Sequence, residues 1–188
     1  MNKSKSPLVV NLYGAPGSGK STGAAYVFSQ LKLRNINCEL ITEYAKEKVW
    51  EGAEAVLQHQ LYVFAKQQFR MARCKDKVDV LVTDSPLLLS AYYDMCNSEP
   101  VTGEFRKLVL DINDTYNNLN CFVCRQKPYQ PTGRLQTEEE ALSMVDDLRR
   151  FLLEVGVQCL FTIPGTQEGY DTVVDRALKI LGMDTNRG

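Results

Sequence analysis

The sequence has 188 residues, 44% of them hydrophobic, and a formal net charge of −1. That length suits one domain with a core of its own, so neither disulfides nor a metal is required to hold it together. The near-neutral balance argues against a broad basic face for nucleic acid, and no run of about 18 apolar residues is present to span a membrane.

Met1 to Ser6 is polar, and the apolar run Leu8–Tyr13 leads straight into glycine. It reads as a first strand rather than a signal peptide. Ser21–Leu33 has helical spacing, Cys38–Thr42 predicts a second strand, and a long helix is expected from about Ala53 to Cys74. Val78–Thr83 predicts strand three, a helical region lies around Phe105–Asn118, and Cys121–Cys124 predicts strand four. Arg125–Gln136, with two prolines and a glycine, interrupts the pattern. Thr137 and Glu140 then form the signature of a capping box, opening a helix that stops near Gly156. Gln158–Ile163 predicts strand five, ended by Pro164 and Gly165, and Tyr170–Leu181 the last helix. Strands alternating with helices imply parallel pairing with right-handed crossovers. The expectation is a single three-layer α/β domain over 1–188: a five-stranded parallel sheet flanked by helices, with a short lid at about 125–136.

Gly14, Ala15, Pro16, Gly17, Ser18, Gly19, Lys20, Ser21 and Thr22 fit the pattern G-x-x-x-x-G-K-[ST] in full. The segment follows a strand and opens a helix, the context in which backbone N–H groups wrap a phosphate. This P-loop NTPase signature predicts ATP and Mg²⁺ as ligands. Lys20 is expected to reach the β- and γ-phosphates and Ser21 to bind the metal. Asp84 ends the buried run Val80–Thr83, where a second metal-binding carboxylate would sit. Asp84-Ser85-Pro86 also fits a helix start, and both readings stand together.

Phosphate binding alone does not distinguish a kinase from an ATPase. Glu43 ends strand two, where a carboxylate could take a proton from an attacking hydroxyl. Arg125, Lys127 and Arg134 lie in the interrupted stretch, and a mobile segment carrying such cations can neutralise developing charge and exclude water. Gln60 and Phe64, four apart on one helical face, could read and stack a flat base. Tyr129 and Tyr170 could also line a pocket, but nothing in the sequence sets them apart from surface aromatics. His59 is the only histidine and is given no metal. The six cysteines, Cys38, Cys74, Cys96, Cys121, Cys124 and Cys159, mostly sit in apolar runs, as small core residues do. Cys121 and Cys124 are three apart on a strand, so they face opposite sides and do not suit a shared metal. A reduced, cytoplasmic setting is expected.

Gly14–Thr22, Glu43-Tyr44-Ala45-Lys46, Thr83-Asp84-Ser85-Pro86 and Gly133–Glu140 together resemble the small P-loop kinase-like proteins of AAA type, often phage-encoded. These are similar to nucleoside and nucleotide kinases and to ribosylnicotinamide kinases. The resemblance implies that Glu43 and Trp50 contact an acceptor's sugar hydroxyl and that Gln60 reads its base. Deoxynucleoside kinases usually carry Asp-Arg-Ser after strand three; this chain has Asp84-Ser85-Pro86, so an arginine is missing, and Arg70 or Arg73 is the nearest substitute. The resulting expectation is a kinase moving the γ-phosphoryl group of ATP to a nucleoside, nucleotide or related acceptor. The host cytoplasm is the setting if the chain is phage-encoded, and a homodimer is compatible by analogy. Two alternatives are a kinase acting on a hydroxymethylated base in phage DNA, and an ATPase or nucleotide-dependent switch with no small-molecule acceptor. No Asn-Lys-x-Asp segment is present to read guanine as GTPases do.

Overall fold

The computed structural model describes residues 6–132, 136–157 and 160–183. Strands β1 (Leu8–Tyr13), β2 (Cys38–Ile41), β3 (Val80–Thr83), β4 (Asn117–Cys124) and β5 (Phe161–Pro164) form one parallel sheet in the order β2-β3-β1-β4-β5. Every pairing is parallel, with Leu8 opposite both Val80 and Asn117. The helices are α1 (Lys20–Leu33), α2 (Tyr44–Trp50), α3 (Gln60–Ala72), α4 (Leu88–Cys96), α5 (Gly103–Asn113), α6 (Glu138–Glu154) and α7 (Gln167–Leu181).

Alternation along β1 divides the core. Leu8, Val10 and Leu12 face one layer, where Val27 and Leu31 of α1 meet Val173 and Leu178 of α7. Val9 and Tyr13 face the other, with Phe64 and Met71 of α3, Leu88 of α4, Val109 of α5 and Phe151 of α6. Covering both faces suits a parallel sheet, whose central strand is apolar at all but one position. The exception, Asn11, donates from its amide to the side-chain oxygens of Asn118 and Asn120 on β4. Cys121 packs in the first layer and Cys124 against the second, so the two thiols do face opposite sides.

The capping box is complete: Thr137 Oγ1 accepts from the Glu140 N–H while Glu140 accepts from the Thr137 N–H. Such a cap stabilises a helix start by about 1 kcal/mol. Other expectations need correction. The helix predicted from Ala53 to Cys74 is two pieces, a 3-10 turn over Glu54–Gln58 and α3 from Gln60. The helical region around Phe105–Asn118 ends at Asn113, and Asn117 and Asn118 already belong to β4. The sequence delimits neither α2 nor α4, although Asp84-Ser85-Pro86 marks a helix start four residues before α4. The fifth strand starts at Phe161; Gln158 and Cys159 lie outside the described residues.

Candidate functional site

The β1–α1 loop turns inward because three of its residues lack side chains. Gly14, Gly17 and Gly19 have φ of 143°, 79° and 102°, values that L side chains rarely adopt. A Cβ on Gly14 would come within 2.6 Å of Ser18 Oγ and of the Val123 carbonyl oxygen. Lys20 folds back over the loop and donates to the carbonyls of Gly14 at 2.7 Å and Ala15 at 3.1 Å. The Ser18 hydroxyl is buried with no hydrogen-bond partner among the described residues. Ser21 and Thr22 remain exposed at the mouth.

A cavity of about 410 Å³ opens from this loop. Gly17 to Thr22 contribute to one wall, except Ser18, which lies behind them. Glu43, Ala45, Lys46 and Val49 form a second wall along α2. The inner end is built by Leu57, Gln58, Gln60 and Val63 together with Leu89, Ser90 and Tyr93 of α4. Thr132 and Gln136 reach the cavity from either side of 133–135.

Glu43 stands at the N-cap of α2 but makes no capping hydrogen bond; its side chain faces the cavity instead. Burial raises its carboxyl above the ordinary carboxylate range; Lys20 pulls against that, Asp84 adds to it and Lys46 opposes it. Glu43 shares that cavity with Gly17, Gly19 and Lys20 of the loop and with Ser85, just past the end of β3. Asp84 directly follows β3 and is buried, and its Oδ1 finds no hydrogen-bond partner among the described residues. It does not cap a helix: α4 begins four residues later, after Leu87.

The sequence-predicted residues therefore divide. Lys20, Ser21, Glu43 and Gln60 come together on one cavity, with Asp84 beside it. Gln60 is buried, donates from Nε2 to the Leu57 carbonyl at 2.7 Å, and keeps its Oε1 without a partner among the described residues. Phe64 does not join them. It is 3% exposed, inside the core, edge-on to Phe105 at 5.7 Å. One helical turn carries its ring past the cavity floor into the second layer, so it cannot stack on a ligand there. Trp50 is 64% exposed at the last residue of α2 and lines no part of the cavity. Arg125 is also off the cavity wall: Nη2 pairs with Glu138 at 2.7 Å, and the guanidinium lies 5.6 Å from the Tyr129 ring. Arg134 lies outside the described residues. Arg70 is engaged by Glu47 at 2.6 Å and by the Thr42 carbonyl, and Arg73 is exposed past the end of α3; neither lines the cavity. Tyr170 is core, not pocket. Exposed His59 belongs to no cluster, and the described residues contain no group of three or more His, Cys, Asp or Glu that could hold a metal. No helix among them is long and apolar enough to cross a membrane.

Two site features escaped the sequence. Lys46 lines the cavity from the first turn of α2, and Tyr93 from α4. A helix register for 88–96 would have brought out Tyr93, but only once that helix was recognised.

A family model described as an AAA domain matches residues 9–168, most of the chain, from Val9 of β1 through β5 to the first two residues of α7. The chain belongs to this AAA-domain family. No curated protein is recognisable as a relative by sequence. Among solved structures, the AAA-domain chain is similar to deoxyadenosine kinase from M. mycoides with bound dATP. That likeness has a TM-score of 0.52 at 16% identity over 93% of this chain and 99% of the other. The same enzyme with products dCMP and dCDP gives 0.50 at 14% identity, over 93% and 98%. Shikimate kinase from Acinetobacter baumannii with shikimate gives 0.45 at 18% identity, over 95% and 92%. At these identities the likeness is one of fold, and the fold is that of P-loop kinases.

Proposed function

We propose that this AAA-domain protein is a phosphotransferase that moves the γ-phosphoryl group of ATP to a hydroxyl or phosphate of a nucleoside- or nucleotide-like acceptor. One observation carries the reading. The phosphate loop does not open onto bulk solvent alone; it shares one cavity with an inner chamber walled by α3 and α4, and Glu43 faces that cavity. A nucleotide switch needs no such chamber, whereas group transfer needs a second substrate held in line with the γ-phosphate.

The residues present suit a nucleoside triphosphate with Mg²⁺. The inward-turned loop offers backbone N–H groups at a helix start. Ser21 at the mouth and the unpartnered Asp84 Oδ1 are the two protein oxygens fitted to a metal that keeps most of its waters. Mg²⁺ held there would supply charge neutralisation to the phosphates. Lys20, already aimed across the loop, adds its ammonium there. Glu43 accepts the proton of the acceptor hydroxyl, a task helped by a carboxyl held above its ordinary range. Arg125 can join the transferring charge only by leaving Glu138. Segment 125–136 then serves as the cover, since Thr132 and Gln136 already touch the cavity.

The deciding experiment is ATP turnover with Mg²⁺ against nucleosides, nucleoside monophosphates, nicotinamide riboside and DNA containing hydroxymethylated bases. The expected result is stimulation by one acceptor class and a product heavier by one phosphate, both abolished in Lys20→Ala. Turnover indifferent to every acceptor overturns the proposal in favour of an ATPase or switch.

A further inference from the structure

Helix α4 sends two adjacent tyrosines in opposite directions. Tyr92 is buried in the second layer with its ring 5.6 Å from Phe151. Tyr93 turns to the cavity, in register with Leu89 and Ser90 one turn before it and with Cys96 and Asn97 one turn after it. All five line the chamber, so α4 presents a whole face to it. Tyr92 stands edge-on to Tyr93 at 5.4 Å and braces its ring. The far wall is tied as well: Asn97 Nδ2 donates to the Gln58 carbonyl at 3.1 Å, and Gln60 Nε2 to the Leu57 carbonyl.

In this chamber the half-buried Tyr93 makes no hydrogen bond through its hydroxyl with another described residue, and its ring packs edge-on to Tyr92. Burial raises its pKa, and the charge of Glu43 raises it further, so the phenol keeps its proton and remains a donor. Glu43 and Tyr93 line the same cavity. Glu43 can only accept when ionised, and Tyr93 offers a hydrogen to the same space.

We propose that Tyr93 is an acceptor-binding residue of the phosphoryl-transfer reaction, donating its hydroxyl hydrogen to an oxygen or nitrogen of the acceptor beside the group that faces Glu43. The inference rests on the phosphotransferase reading above and gives its inner chamber a specific demand. The acceptor must carry a hydrogen-bond acceptor close to its reactive hydroxyl, as polyhydroxylated rings do.

The test is Tyr93→Phe, which keeps the ring and its contact with Tyr92 and removes only the oxygen. The readouts are the thermal midpoint and the KM for ATP and for the acceptor that stimulates the wild type. The lost hydrogen bond is expected to raise the acceptor KM by about 3- to 10-fold. The KM for ATP should stay within about twofold, an asymmetry that loss of packing alone does not produce. Equal KM values in the two proteins overturn the assignment of Tyr93 and leave the phosphotransferase reading intact. A wild type that no acceptor stimulates overturns both.

Discussion

Tyr170 of α7 donates its phenolic hydrogen to the Gly19 carbonyl at 3.0 Å, across 151 residues of chain. Its ring lies so close under the loop and α1 that a Cβ on Gly23 would sit 2.5 Å from Tyr170 Cε1. The last helix thus props the phosphate loop from below, and Tyr26 adds a parallel tie to Asp171 at 2.8 Å.

Removing that prop should be felt in stability and in nucleotide binding alike. Tyr170→Phe is expected to cost about 1 kcal/mol through the lost hydrogen bond and to weaken nucleotide binding by a similar factor. Gly23→Ala gains helix propensity yet forces the Tyr170 ring aside, with a net loss of about 1–3 kcal/mol. Denaturant unfolding and nucleotide titration of both variants check this. A Gly23→Ala protein more stable than wild type would refute the close approach.

Glu43 links pH to two properties with opposite signs. As a base it works only when ionised, so acceptor turnover is expected to fall as pH drops through its raised pKa, above the usual carboxylate range. Stability behaves the other way. A carboxyl whose folded pKa exceeds its unfolded value binds its proton more tightly when folded. That contribution is present below the unfolded pKa and lost as pH rises through the folded one. Glu43→Gln should therefore lose at least about 100-fold in kcat. It should be no less stable than wild type near about pH 8, with the difference closing towards about pH 4. A Glu43→Gln protein with normal turnover removes Glu43 from the chemistry.

Gln60 has a fixed polarity. Its amide nitrogen is committed to the Leu57 carbonyl, so the oxygen is what the chamber meets. A ligand must offer an N–H or O–H there. Gln60→Leu is expected to weaken acceptors carrying an amino group by about 5- to 10-fold while leaving stability nearly unchanged, since an unsatisfied buried oxygen is removed with the lost bond. Equal losses for acceptors with and without a donor would show that Gln60 only shapes the wall.

Phe64 and Trp50 should both lack the acceptor contacts that the sequence suggests for them. Phe64→Ala opens the core beside Phe105 and is expected to cost about 3–5 kcal/mol, with unfolding rather than a selective rise in acceptor KM. Trp50→Ala should shift stability by no more than about 0.5 kcal/mol and leave acceptor KM unchanged. A selective rise in KM for Trp50→Ala would place that ring at the acceptor after all.

What was legible in the sequence follows from where patterns are strong. The phosphate loop is local: its glycines, lysine and serine are adjacent in sequence, and the flanking strand and helix are long. The capping box of α6 is local too. Helix α4 was hidden because Leu88–Tyr92 are all buried, which leaves no polar face and no period to detect. Tyr93 was hidden with it. Helix α2 has seven residues and only Tyr44 buried, too little for an amphipathic signal. Placing Gln60 and Phe64 on one face was correct; which of them meets the cavity depends on the depth of α3 beneath it, and spacing does not encode depth.

The strand order has an evolutionary reading. β1 occupies the middle of the sheet, with β3 and β2 on one side and β4 and β5 on the other. The two strands on the first side, with the helices between and after them, form a single uninterrupted stretch of chain from Cys38 to Asn97, and it supplies the inner-chamber residues from Glu43 to Asn97. The loop around the phosphates is propped from the opposite side, by α7. Mutation and recombination can therefore rework most of the inner chamber as one cassette while the loop and the helix that props it stay untouched, so long as Asp84, which lies in the same stretch, is kept.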